Sequence, residues 1–217
     1  MSVGVICCRV LETEMKTVIR DFPEVSHFEV MEWGLHIDPD LLLETLIAQI
    51  LKLQEKVDAI VLGYGRCQIL DKLPEHFKVP VFRPPADDCI GVLLGQERYE
   101  KALLEEGGTW FFTPGWTELG MDFIFHELQI SRLGKKGLDP MQLAHRMLKD
   151  FTRGLFVEVN AGDGEGLEKK AREISKTFNL RFEKKPGTLS VLRDTLKQAL
   201  KTLPPGDDVI PPERRSG

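Results

Sequence analysis

Asp58-Ala59-Ile60-Val61-Leu62-Gly63 runs directly into Tyr64-Gly65-Arg66-Cys67, and the reading of this stretch decides the fold. After Asp58 the run is apolar without alternation and ends in a glycine-containing turn, the pattern of a strand buried on both faces. Such a strand needs helices above and below it, and the flanking sequence supplies them. Upstream, residues 41–56 carry apolar side chains at helical spacing behind Asp38-Pro39, an N-cap followed by a proline in the first turn. Further back, residues 28–33 alternate loosely as a strand, residues 11–20 have helical spacing, and Val3-Gly4-Val5-Ile6-Cys7-Cys8 is another buried run. Downstream, residues 79–82 are a third buried strand.

The alternation continues. Residues 89–106 are expected as a helix behind Asp87-Asp88, and 109–113 as a strand stopped by Pro114-Gly115. Helices follow at 122–129, 140–151, 167–178 and 190–203, with strands at 155–159 and 180–183 between them. Strands alternating with helices predict an α/β protein: a Rossmann-like, mostly parallel sheet with helices on both faces and right-handed crossovers. The expected organisation is one α/β domain over residues 1–203, divisible into similar halves 1–107 and 108–203 that share a continuous sheet. Residues 204–217, with two Pro-Pro pairs and Asp-Asp, read as a mobile tail.

The chain has 217 residues with 29 Lys and Arg against 34 Asp and Glu, a net charge of −5. Without a basic run it carries no electrostatic footprint for nucleic acid or an anionic membrane. No apolar stretch approaches the roughly 20 residues that span a bilayer, and the first residues lack a basic segment followed by an apolar core. A cytoplasmic location is expected. Four cysteines in such a chain read as thiols or metal ligands rather than disulfides.

In an open parallel sheet, ligands bind beyond the carboxyl ends of the strands, where strand order reverses. Cys7 and Cys8 end the first strand, Cys67 follows the 58–63 strand, Cys89 follows the 79–82 strand, and His36 lies beyond the 28–33 strand. Adjacent strand residues face opposite ways, so one of Cys7 and Cys8 serves the site, and Cys8 is nearer the end. Thiolates with an imidazole suit zinc, an iron–sulfur cluster or another thiophilic metal. Gly63, Tyr64, Gly65, Asp88, Thr113 and Trp116 are the expected pocket lining.

Two other readings stand beside the metal site. Free cysteine is a small hydrophobe, and each thiol could be packing. Cys89 at a helix start could instead be an activated thiol, although Asp87 and Asp88 oppose its ionisation. His27, His76, His126 and His145 lack ligand spacing, and Lys135-Lys136 and Lys184-Lys185 read as solvated pairs. There is no nucleotide signature: Gln68 breaks a GxGxxG spacing, no P-loop occurs, and Gly162-Asp163-Gly164-Glu165-Gly166 places acids where a phosphate needs donors.

The Val5–Cys8 strand end, Leu35-His36 before Pro39, the strand-and-turn 60–67, Arg83 to Cys89 with Leu93-Leu94-Gly95, and Gly108 to Trp116 together resemble the bacterial and archaeal domain-of-unknown-function family number 1638. The resemblance covers the chain to about residue 185 and implies that Cys8, Cys67 and Cys89 match the family's cysteine pattern. Arg9 and Gln68 stand where glycine is common, and Asp88 where histidine is common. The resemblance further implies an association with corrinoid-dependent methyltransferases, hence one-carbon or methylamine-type metabolism, with a corrinoid protein or methyltransferase as partner. The expected function is a metal- or cluster-binding protein, catalytic or accessory. The alternative is a metal-free small-molecule-binding protein or thiol enzyme using the same pocket.

Overall fold

A computed structural model describes residues 2–67, 69–130 and 139–203. The first part runs β1 (Val3–Cys8), a 3-10 turn (Arg9–Leu11), α1 (Glu12–Ile19), β2 (Val25–Met31), a second 3-10 turn (Leu35–Ile37), α2 (Pro39–Leu53), β3 (Ala59–Gly63), β4 (Val81–Phe82), α3 (Cys89–Leu94) and α4 (Gln96–Glu105). It continues with β5 (Thr109–Phe112), α5 (Pro114–Leu119), α6 (Met121–Glu127), α7 (Pro140–Met147), β6 (Arg153–Glu158), α8 (Gly164–Thr177), β7 (Arg181–Pro186) and α9 (Ser190–Thr202). The fold is α/β and Rossmann-like, with parallel pairing throughout the described strands. Among the described residues no helix is long and apolar enough to cross a membrane.

The strands form two sheets, ordered β2-β1-β3-β4 and β5-β6-β7, where one continuous sheet was expected. Proline explains the break. β4 is two residues long, preceded by Pro80 and followed by Arg83-Pro84-Pro85. Residues without a backbone N–H cannot carry a ladder further, so β4 is an edge and the sheet stops there. β7 is guarded differently, by Arg181, Glu183, Lys184, Lys185 and Pro186 along an exposed edge.

Side-chain packing rejoins what the backbone separates. One core of buried residues runs from Val5, Ile6 and Ile60 in the first sheet through Phe111, Leu155 and Val157 in the second to Leu192 and Leu196 of α9. A second cluster, around Phe112, Phe123, Phe156 and Ile174, underlies the other face of β5-β6-β7. α9 crosses the half boundary, packing chiefly on β3, β4 and α1. The chain returns through Gly187 and Thr188, whose amides donate to the carbonyls of Glu158 and Leu93, each at 2.6 Å.

Several element boundaries differ from those expected, three of them instructively. The 89–106 helix is two helices, because Gly95 (φ +86°) adopts a positive-φ conformation that only glycine takes readily. Pro114 begins α5 rather than ending a strand. Its fixed φ and missing N–H suit the first helical position, and Thr113 caps it. β2 begins at Val25, which puts His27 in a strand instead of a connection. The Gly162–Gly166 segment opens α8, with the Asp163 carboxylate accepting from the Gly166 amide at 3.0 Å. The expected tail 204–217, Gln68 and Lys135-Lys136 lie outside the described residues.

Candidate functional site

β1 has β2 on one side and β3 on the other, so strand order reverses between β1 and β3. Register then sorts the two adjacent cysteines. Cys7 pairs with Gly63, and a Cβ added to Gly63 would lie 2.7 Å from Cys7 Sγ and 3.0 Å from Met15 Cε. Both positions therefore face α1. Cys7 is fully buried and its thiol donates to the Cys8 carbonyl at 3.2 Å. One residue further on, Cys8 and Tyr64 turn to the opposite face and line a cavity of about 420 Å³.

The other two thiols arrive by way of backbone docking. The Arg66 and Cys67 amides donate to the carbonyls of Ala86 and Asp87 at 2.8 and 2.9 Å, tying the turn after β3 to the loop before α3. Glycine is required at this crossing: a Cβ on Gly65 would sit 2.5 Å from Asp88 Cα. Cys67 itself has φ +46°, a left-handed conformation uncommon for a residue with a side chain. Asp88 is spent on capping. Its Oδ1 accepts from the Ile90 and Gly91 amides, each at 2.9 Å, and its Oδ2 accepts from the Tyr99 hydroxyl at 2.8 Å. Cys89 follows as the first residue of α3, beside Cys67.

The second half closes the cavity. A Cβ on Gly115 would lie 2.2 Å from the Val10 carbonyl oxygen, so the start of α5 rests on the turn after β1. This places Trp116, stacked on Phe123 at 4.5 Å, in the wall. His36 Nε2 and Glu127 Oε2 meet at 2.8 Å across the cavity, linking residues 91 positions apart.

Cys8, Cys67, Cys89, His36, Tyr64, Gly65, Asp88 and Trp116 all line this one cavity. Gly63 and Thr113 do not. Gly63 faces Cys7 on the other side of the sheet, and Thr113 is fully buried as the α5 cap, its Oγ1 accepting from the Trp116 amide at 3.3 Å. Sequence reasoning missed Glu32, Asp87, Glu127 and Gln129 in the lining. Only Asp87, beside the expected Asp88, carried a local signal.

Burial governs the electrostatics. It pushes the Cys8 thiol up to about 11, offset in part by the neighbouring Val10 backbone and Tyr64 hydroxyl, which favour the ionised form. Burial, with Cys8 and Asp88 nearby, raises Cys67 to about 12. Cys89 is raised well above the ordinary thiol value by burial, then by Asp88, Cys67 and Cys8. The three thiols thus sense one another and are protonated at neutral pH. Two donors are left over: the Tyr64 hydroxyl and Trp116 Nε1 are buried without a hydrogen-bond partner. Among the described residues, no group of three or more His, Cys, Asp or Glu side chains is already gathered to hold a metal ion. Of the remaining histidines, His126 packs on Trp33 at 4.7 Å, His145 on Phe178 at 5.0 Å, and His27 Nδ1 lies 3.0 Å from Ser26 Oγ.

The fold and cavity define a two-sheet, parallel α/β protein with cysteines converging at the topological switch point. The chain belongs to the family described as Protein of unknown function (DUF1638), whose model matches residues 30–196. The matched range includes His36, Cys67, Cys89 and Trp116 and begins after Cys8. No curated protein and no solved structure matches the chain.

Proposed function

We propose that the chain binds a thiophilic metal ion or an iron–sulfur cluster through Cys8, Cys67 and Cys89, with His36 exchanging Glu127 for the metal as a further donor. The observation that supports this reading is the meeting of three thiols from sequence-distant segments in one cavity at the strand-order reversal. Sulfur donors fit zinc, iron–sulfur clusters and other soft or borderline metals. Glu32, Asp87, Asp88 and Glu127 in the same lining add negative charge suited to a cation. Loading requires the thiols to lose their protons and turn toward a common centre, because they are not gathered beforehand. A metal with an open position would supply Lewis-acid chemistry there.

The metal-free thiol-enzyme reading is weaker for a physical reason. A nucleophilic cysteine needs a lowered pKa, whereas burial raises all three. At the start of α3 the free amides go to the Asp88 carboxylate, so the helix end does not serve the Cys89 thiol. On the family resemblance we further propose a cytoplasmic setting and a corrinoid protein or methyltransferase of one-carbon metabolism as partner.

The test is the iron, zinc, cobalt, nickel and acid-labile sulfide content of protein purified without oxygen and without a metal-affinity tag. Near-stoichiometric metal is expected, falling several-fold in Cys67→Ser while the circular dichroism spectrum is kept. Metal-free wild-type protein that also fails to take up added zinc or ferrous iron would overturn the reading.

A further inference from the structure

Among the buried polar groups without a well-formed hydrogen bond in the described residues, the Tyr64 hydroxyl stands in the most telling place. Tyr64 is 3% exposed, so its hydroxyl cannot turn to solvent; it lies beside the Cys8 thiol but makes no well-formed hydrogen bond. A buried hydroxyl without a well-formed hydrogen bond is costly, and it is available to any stronger acceptor that another state of the protein places beside it. The register identifies that use. Cys7 pairs with Gly63, and these two share a face. The next residues along the parallel strands, Cys8 and Tyr64, are therefore neighbours on the opposite face, both lining the cavity.

We infer that Tyr64 is a positioning residue for Cys8: once the Cys8 sulfur becomes a metal-bound thiolate, the Tyr64 hydroxyl donates to it and fixes its direction. This inference rests on the proposed thiol site and assigns a role inside it. The thiol form of Cys8 is a weak acceptor, which leaves the neighbouring hydroxyl without a well-formed bond; the thiolate is a full acceptor, and a charge-assisted bond then forms. The Val10 backbone likewise favours the ionised form of Cys8. Groups that orient a ligand atom from behind commonly change metal affinity by about 10–100-fold when removed.

The experiment compares wild type with Tyr64→Phe, using Co²⁺ as the probe under anaerobic conditions at one fixed pH. The variant loses only an oxygen that makes no well-formed hydrogen bond in the metal-free fold. Its metal-free thermal midpoint is therefore expected to equal or exceed that of wild type. Its Co²⁺ affinity is expected to fall by about 10-fold or more, and its sulfur-to-cobalt charge-transfer band to move to lower energy as the thiolate loses a hydrogen bond. Unchanged affinity and band position in the folded variant would overturn the role of Tyr64 while leaving the thiol site standing. A lowered metal-free midpoint with unchanged band position would assign Tyr64 to packing instead. Wild-type protein without any thiolate-to-cobalt band would overturn the thiol site and this inference together.

Discussion

Gly65 marks the point where the turn carrying Cys67 meets the backbone carrying Cys89. Any side chain there meets the Asp88 backbone rather than a movable side chain, since the added Cβ falls 2.5 Å from Asp88 Cα and 2.6 Å from its nitrogen. Gly65→Ala is expected to cost about 1–3 kcal/mol by denaturant unfolding and to lower bound metal per chain, because it parts two of the three proposed ligands. Glu14 is a second residue with a measurable signature. It lies on α1, fully buried, with both carboxylate oxygens unpartnered, and burial raises it to about 7 from an ordinary 4.5. Its folded-state pKa exceeds the unfolded one, so between those values the folded protein holds a proton that the unfolded chain has lost. Stability should therefore fall as pH rises from about 4.5 to about 7, by at most about 3 kcal/mol, and be flat in this respect above that window. Urea midpoints across that range, compared with Glu14→Gln, check it: the variant's curve should lose this slope.

At the scale of elements, α5 shows how a misread proline hides part of a site. Pro114-Gly115 has the look of a strand stop, but Thr113 caps a helix there, and Trp116 reaches the cavity from its first turn. Thr113→Ala should cost about 1 kcal/mol and red-shift the tryptophan emission as Trp116 loosens; wild-type emission and stability would show the cap to be dispensable. The three thiols that line the cavity were legible because each sits at or just past the end of a buried apolar run, and buried runs are the plainest signal in this sequence. Thr113 and Gly63 were misassigned for an equally local reason. Position along a strand says how near the rim a residue lies, whereas its face depends on register with a neighbour. Glu127 had no readable signal, since its partner His36 is brought to it by tertiary folding alone. The split of the 89–106 helix was foreshadowed only by Gly95, a residue that helices also tolerate.

The molecule as a whole depends on α9. The alternation of strands and helices was enough to fix the class of fold and its parallel pairing, but not the interruption between sheets, which turns on three prolines around a two-residue strand. Nor could it show that residues 190–202 pack on β3 and β4. Because one apolar core runs through both sheets and α9, heat or urea should unfold the protein in a single transition, with far-ultraviolet circular dichroism and tryptophan fluorescence coinciding. Two separated transitions would mean that the halves are independent. A fragment ending at residue 107 lacks the helix that covers β3 and β4, and it should remain unfolded or aggregate.

The same return of the chain has a consequence for biosynthesis. On a ribosome β1 to β4 are made early, yet the helix that covers β3 and β4 is made only after β7. At about 5–20 residues per second the first sheet waits several seconds, one apolar face bare, for residues more than a hundred positions further on. The nascent protein is in that interval a natural client for a chaperone that shields apolar surface, and its folding is completed from the carboxyl-terminal side.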